Sequence, residues 1–149
     1  MTHQSLDLYP SIITISVQWG DMDALGHVNN TVPIRWYESS RITYLETSGI
    51  AEAMVTLNVG PILAAVNCNY RRQLFYPDNV KVGGRVSRVG RSSITLEHVA
   101  LSERLGEVAT DGESVIVIFD FDNQRPVRVP DEVREKIKDL QPNLVFDKS

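Results

Sequence analysis

A single cysteine, Cys68, leaves no partner for an internal disulfide, so packing and hydrogen bonds must hold this chain together. Long apolar runs are missing too: nothing approaches the ~18 consecutive apolar residues that mark a candidate membrane span. Positive charge is not in excess. With a formal net charge of −4, there is no overall basic field to draw the chain onto nucleic-acid phosphates. Metal ligation lacks a framework, because His3, His27 and His98 are widely spaced and no C-x-x-C or H-x-x-x-H pattern occurs. Neither a glycine-rich phosphate loop nor a dinucleotide fingerprint appears, and there is no internal repeat. Met1 to Asp7 has neither the basic nor the long apolar region of a signal peptide. These absences lead us to expect a cytoplasmic protein that works without a metal or cofactor and engages neither membrane nor nucleic acid.

What is present is enough apolar material for one core. At 149 residues and 42% hydrophobic content, the expectation is a single domain over 1–149, too short for two. Ser11 to Trp19 alternates β-branched or aromatic residues with polar ones from Ile13 onward, as a half-buried strand does. Thr31 to Thr47 follows as a long helix, with Ile34, Trp36, Tyr37, Ile42, Tyr44 and Leu45 on one broad face. Pro33 fits only in the first turn, where no intrahelical hydrogen bond is lost, which sets the helix start near Asn29 or Asn30. Ser48-Gly49 ends the helix, and Ala51 to Leu57 reads as a short extra turn. Strands are expected at 62–70, 80–86, 93–101 and 113–121, separated by Pro77-Asp78-Asn79, Gly90 and Leu105-Gly106. A closing helix from Pro130 to Leu140 and a tail from Gln141 to Ser149 complete an α+β order.

The densest chemistry lies between the first strand and the long helix, in Trp19-Gly20-Asp21-Met22-Asp23-Ala24-Leu25-Gly26-His27-Val28-Asn29-Asn30. Two alternating carboxylates precede a glycine turn, and two asparagines of N-cap type lead into the helix. A carboxylate can attack a carbonyl or activate water, and exposed N–H groups at a helix start can hold an oxyanion. Taken alone, Asp21 and Asp23 would simply close the turn through side-chain-to-backbone bonds. Glu38 and Arg41, three apart on the helix, form by default a helical ion pair.

This D-x-D-x-x-G-H-V-N-N segment resembles that of the 4-hydroxybenzoyl-CoA thioesterase-like hotdog proteins, and the order of elements extends the resemblance over most of the chain. The resemblance implies a hotdog fold, an antiparallel sheet wrapped around the long helix, and the hydrolysis of an acyl-CoA thioester. It implies homodimers or homotetramers with active sites at the subunit interface. Carried over by position, it makes Asp23 the catalytic carboxylate, as general base or nucleophile, and the Asn30 N–H the group that polarises the thioester carbonyl. Glu38 would lie near the turn, with Arg41 orienting it. Gly26, His27, Val28 and Asn29 would shape the substrate site, while Asp21 stays structural. Arg91 and Ser92, in the basic turn Arg88 to Ser93, would meet the nucleotide end of coenzyme A. Pro33 departs from the aromatic residue expected there, which bears on the shape of the acyl pocket.

Rival readings keep the fold: a thioesterase acting on acyl-carrier-protein substrates, or a non-catalytic module that binds acyl thioesters. A hotdog dehydratase is less suited, since only His27 is near the turn. Arg71-Arg72 is left unassigned because adjacent strand residues point to opposite faces and cannot both line one groove. Cys68 reads as a small core residue.

Overall fold

The computed structural model describes residues 6–146; His3 and the last three residues of the expected tail lie outside that range. A 3-10 turn at Leu6–Leu8 leads into β1 (Ser11–Ser16). Then come α1 (Val32–Thr47), α2 (Ile50–Thr56), β2 (Gly60–Tyr70), β3 (Asn79–Val89), β4 (Ser93–Ser102), β5 (Glu107–Asp120), the short β6 (Arg125–Pro126) and α3 (Asp131–Leu140). All strands join one antiparallel sheet in the order β1-β3-β4-β5-β2, with β6 added to β5. The curled sheet holding α1 is the hotdog fold, in the α+β class.

Several elements exceed or fall short of the sequence expectation, each for a physical reason. The first strand stops at Ser16, because Trp19–Asp21 winds into a 3-10 turn that leaves Trp19 73% exposed. β2 begins at Gly60 in spite of Pro61; it is the edge of the sheet, where a missing N–H breaks no ladder. β5 begins at Glu107 rather than Glu113. Its first half is paired with β4 from Glu107 and with β2 from Thr110, which overrides its weak strand propensity.

The face of α1 that meets the sheet is Pro33, Trp36, Tyr37, Ser40, Arg41, Tyr44 and Leu45, a stripe spaced by three and four. Ile34 and Ile42, expected on that face, point outward at 36% and 47% exposure. Two polar residues therefore occupy the buried stripe while two isoleucines lie outside it. Helix and sheet come close at Gly84: a Cβ there would collide with Ser40 Oγ, which would have to move.

The segment from Gln141 onward is docked. Gln141 Oε1 accepts hydrogen bonds from Val86 N (2.8 Å) and the Tyr44 hydroxyl (2.5 Å), and its Nε2 donates to Val86 O (2.8 Å). It thereby completes the backbone of β3 where the β3–β4 register shifts, between Val86 and Arg88. Leu144 and Phe146 pack against the core built by α1, α2, α3 and the sheet.

Beneath α1, His98 of β4 is fully enclosed. Its Nδ1 pairs with Ser40 Oγ (3.1 Å), its Nε2 with Ser114 Oγ (2.7 Å), and its ring stacks on Tyr37 at 4.9 Å between centroids. Burial, aided by the nearby Arg41 cation, pushes its pKa down from 6.5 to about 3. The unfolded chain therefore binds a proton at His98 between those values while the folded chain does not, so this group removes stability as pH falls from 6.5 towards 3. At a single site the slope reaches about 1.4 kcal/mol per pH unit. Urea unfolding of wild type and His98→Gln at pH 7, 5 and 4 should show the difference between the two proteins shrinking as the wild type loses this increment. A difference constant with pH would mean that His98 is not held neutral.

Candidate active site

The turn after β1 is built almost entirely from its own polar groups. Asp21 closes the 3-10 turn by accepting from Gln18 N (Oδ2, 2.8 Å), and its carbonyl accepts from Asn29 N (2.9 Å). Met22 and Val28 pair as an isolated antiparallel bridge. Inside that bridge Asp23 N donates to His27 O (2.9 Å), Gly26 N to Asp23 O (3.0 Å) and Leu25 N to Asp23 Oδ1 (2.9 Å). Gly26 supplies the left-handed residue that such a reversal needs, with φ of 85°. Val28 N then donates to Leu74 O (2.8 Å), tying the turn to the segment that follows β2.

Asn29 acts before the helix rather than as its cap. Its Oδ1 accepts from Thr31 N (2.9 Å) and Thr31 Oγ1 (2.8 Å), and its carbonyl accepts from Val32 N (2.9 Å). The N-cap is Thr31 and Pro33 lies within the first turn, so the helix starts about two residues later than the asparagines imply. Asn30 is left between turn and helix. Its carbonyl accepts from the Tyr70 hydroxyl, and among the described residues its N–H has no acceptor.

These elements surround a cavity of about 380 Å³. The turn contributes Asp23, His27, Val28 and Asn30, α1 contributes Pro33, the segment from Tyr70 to Leu74 forms the facing wall, and Thr110 of β5 adds to it. Asp23 Oδ2 has no hydrogen-bond partner among the described residues. Asp21 lines a different groove, beside Arg35 and Trp36. The two carboxylates thus differ in place: Asp23 lines the cavity with one oxygen unpartnered, while Asp21 lies outside it.

The remaining expected site residues are placed less compactly. Glu38 is exposed on α1 and does not line the cavity, while Arg41 is buried. No ion pair joins them among the described residues, although the Glu38 charge offsets part of the burial that lowers the Arg41 pKa. Arg91 and Ser92 sit at the opposite end of the sheet. The Arg91 carbonyl accepts from Val129 N (2.7 Å), and the Ser92 carbonyl from Ile118 N (2.8 Å). Roughly eight residues of β5 at ~3.3 Å each separate Ile118 from Thr110, on the order of 25 Å. Within one chain the basic turn does not reach the cavity. His27 rests edge-on against Phe75, 5.4 Å between centroids. Cys68 is half-buried, its thiol donating to the Tyr37 hydroxyl (3.6 Å), and does not line the cavity.

The wall opposite the turn was missed by sequence reasoning, and Arg71-Arg72 requires a correction. Both arginines line the cavity. Regular pairing of β2 with β5 ends at Tyr70 opposite Thr110. Beyond it Arg71 N (2.7 Å) and Arg72 N (3.0 Å) both donate to one carbonyl, that of Ala109. Two residues facing one is the geometry of a bulge, which cancels the strand alternation on which their exclusion rested. No local signal marks it. Tyr70, Gln73 and Thr110 likewise come to the cavity only through this long-range pairing.

With this geometry in hand, sequence comparison places the chain in the thioesterase-like superfamily, whose sequence model matches residues 17–137. The chain belongs to that family. Among relatives, the long-chain acyl-CoA thioesterase FadM of Escherichia coli (strain K12) is 27% identical over 126 residues, which span 85% of this chain and 96% of FadM. The YsmA protein of Bacillus subtilis (strain 168) is 31% identical over 125 residues, covering 83% and 82% of the two chains. A thioesterase of Thermus thermophilus, solved as a complex with coenzyme A and zinc, superposes with a TM-score of 0.80 at 31% identity, over 92% of this chain and 98% of that one. Among the described residues no group of three or more His, Cys, Asp or Glu is placed to hold a metal ion, and no helix is long and apolar enough to cross a membrane.

The left-handed Gly26 gives the turn its test. A Cβ there would meet nothing within 4 Å, so a substitution acts through backbone conformation alone. Gly26→Ala should cost about 1 kcal/mol in urea unfolding and Gly26→Asn clearly less, since asparagine tolerates this region. Equal stability of the alanine variant and wild type would mean that the turn is not built this way.

Proposed function

We propose that this chain hydrolyses acyl-CoA thioesters in the cavity beside Asp23. The observation that carries the reading is a pair of unpartnered groups on two residues that line one cavity: a carboxylate oxygen of Asp23 and the N–H of Asn30, each without a partner among the described residues. Asp23 as general base takes a proton from water while the water oxygen bonds to the thioester carbon. The carbonyl oxygen gains negative charge, which the Asn30 N–H stabilises. Collapse of this intermediate breaks the carbon–sulfur bond, and the leaving thiolate recovers the proton. In the nucleophilic alternative the Asp23 oxygen itself bonds to the carbonyl carbon, expels the thiolate and leaves a mixed anhydride for water to hydrolyse. The relationship to FadM, a long-chain acyl-CoA thioesterase, supports the coenzyme A carrier.

Glu38, Arg91 and Ser92 enter this reading through a second copy of the chain. They do not line the cavity of their own chain, and the chain exposes apolar surface suited to an association. β2 is an unpaired edge with Ile62 and Leu63 exposed, and α1 turns Ile34 and Ile42 outward. A homodimer or homotetramer that covers this surface is the assembly we propose, with Glu38 ranked after Asp23 and Asn30 in the chemistry.

Thiol release from short-chain, long-chain and aromatic acyl-CoAs tests the assignment. Asp23→Asn should lower turnover at least ~100-fold while leaving the unfolding midpoint near that of wild type. Unchanged turnover in the folded variant removes Asp23 from the chemistry. Wild-type activity on acyl-carrier-protein thioesters with none on the same acyl groups carried by coenzyme A would replace the carrier.

A further inference from the structure

Arg71 and Arg72 are the arginines that line the Asp23 cavity, and the thioester reaction as described makes no use of them. Arg71 is held in place by a two-pronged pair with Asp111, Nε to Oδ2 at 3.1 Å and Nη2 to Oδ1 at 3.2 Å. Arg72 commits one nitrogen, Nη2, to Glu107 at 3.1 Å, leaving Nε and Nη1 without an acceptor among the described residues. Asp111 and Glu107 both come from β5, and neither lines the cavity, whereas both arginines do. The carboxylates therefore hold the arginines from outside the lining, while both arginines, each about half exposed, border the open cavity. The Arg72–Glu107 pair is about half exposed on both sides, so it resists rearrangement only weakly.

We propose that Arg71 and Arg72 make an anion-binding end to this cavity, and that the acyl group taken there ends in a carboxylate. The inference rests on the thioester reading in that it seats the carbonyl at Asp23. Size selects the source of the anion. A volume of about 380 Å³ corresponds to a sphere about 9 Å across, which puts the guanidinium groups within reach of a short acyl chain whose carbonyl lies at Asp23. The phosphates of coenzyme A hang from an arm of roughly a dozen bonds, on the order of 15 Å when extended, which is longer than that span. A terminal carboxylate some three to five carbons from the thioester instead meets a planar fork of matching geometry.

Calorimetric titration with non-hydrolysable thioether analogues tests this without requiring turnover, so a failure of the hydrolase reading leaves the result interpretable. Glutaryl and pentanoyl groups, equal in length and differing in the terminal carboxylate, would each be presented on coenzyme A and on N-acetylcysteamine, which carries no phosphate. Wild type should favour the glutaryl ligand about tenfold or more on both carriers, and Arg72→Ala should remove most of that preference. Arg72→Lys, which keeps charge but loses the fork, should retain part of it. Arg71→Ala repeats the test from the second arginine, with Arg72→Ala deciding where loss of the Asp111 pair unfolds the chain. Absence of a glutaryl preference in wild type overturns the proposal. So does an Arg72→Ala variant that binds both coenzyme A ligands more weakly and both cysteamine ligands unchanged, which would assign the arginines to carrier phosphates.

Discussion

The seating of α1 against the sheet at Gly84 is the constraint on which the rest of this molecule depends. A helix that carries Ser40 and Arg41 on its buried stripe cannot be held by apolar packing alone. Close approach is made possible by a glycine in β3 and a fully hydrogen-bonded histidine in β4, and His98 then links the helix to β5 through Ser40 and Ser114. Because those contacts are directional, they set the rotation and height of the helix more sharply than a purely apolar interface would. The position of the helix start follows, and with it the place of Asn30 and of the turn before it. Tyr37, one turn before Ser40 on the same buried stripe, adds a tie to Thr110 at the cavity wall (2.6 Å).

From that fixed start the cavity is assembled by satisfying backbone groups and leaving particular atoms free. Asp21, Asn29 and Gly26 satisfy the polar groups and backbone angles that a sharp reversal demands, which is why the turn keeps one shape. Tyr70 reaches across from the end of β2 to the Asn30 carbonyl and ties the two walls together. Among the described residues, one oxygen of Asp23 and the Asn30 N–H, both on residues that line the cavity, remain without a partner. On the proposed reading these are the two groups that acyl transfer needs, and they are available because their neighbours carry the structural burden.

Legibility in the sequence divided along the range of the interactions. The turn, the long helix and most strands were readable because glycine, proline, Asx residues and β-branched alternation act over a few positions. The helix start slipped by about two residues since Asn29 forms its turn with Thr31 instead of capping, a choice among equivalent local partners. The facing of α1 was misread at Ile34 and Ile42, where composition favours burial and the sheet demands Ser40 and Arg41 instead. Gln141 was read as tail because nothing local announces that a glutamine amide will complete the backbone of β3. Arg71 and Arg72 escaped for the same reason: the bulge at Ala109 belongs to the pairing of two strands distant in sequence.

That bulge also explains how one wall can serve two demands. A regular strand after Tyr70 would send one arginine inward and the next outward, leaving the cavity with a single cation and the outer surface with the other. Donating two successive amides to Ala109 brings both side chains to the cavity, yet Asp111 and Glu107 remain alongside on β5 to balance them. Each arginine thus lines the same cavity as Asp23 while keeping an acidic partner of its own, Arg71 by a two-pronged pair and Arg72 by a weaker, half-exposed one. A cavity lined by Asp23 on one wall and by Arg71 and Arg72 on the other is polarised along its length. On the proposed reading, that asymmetry orients an acyl chain with its thioester towards the turn and its charged end towards the bulge.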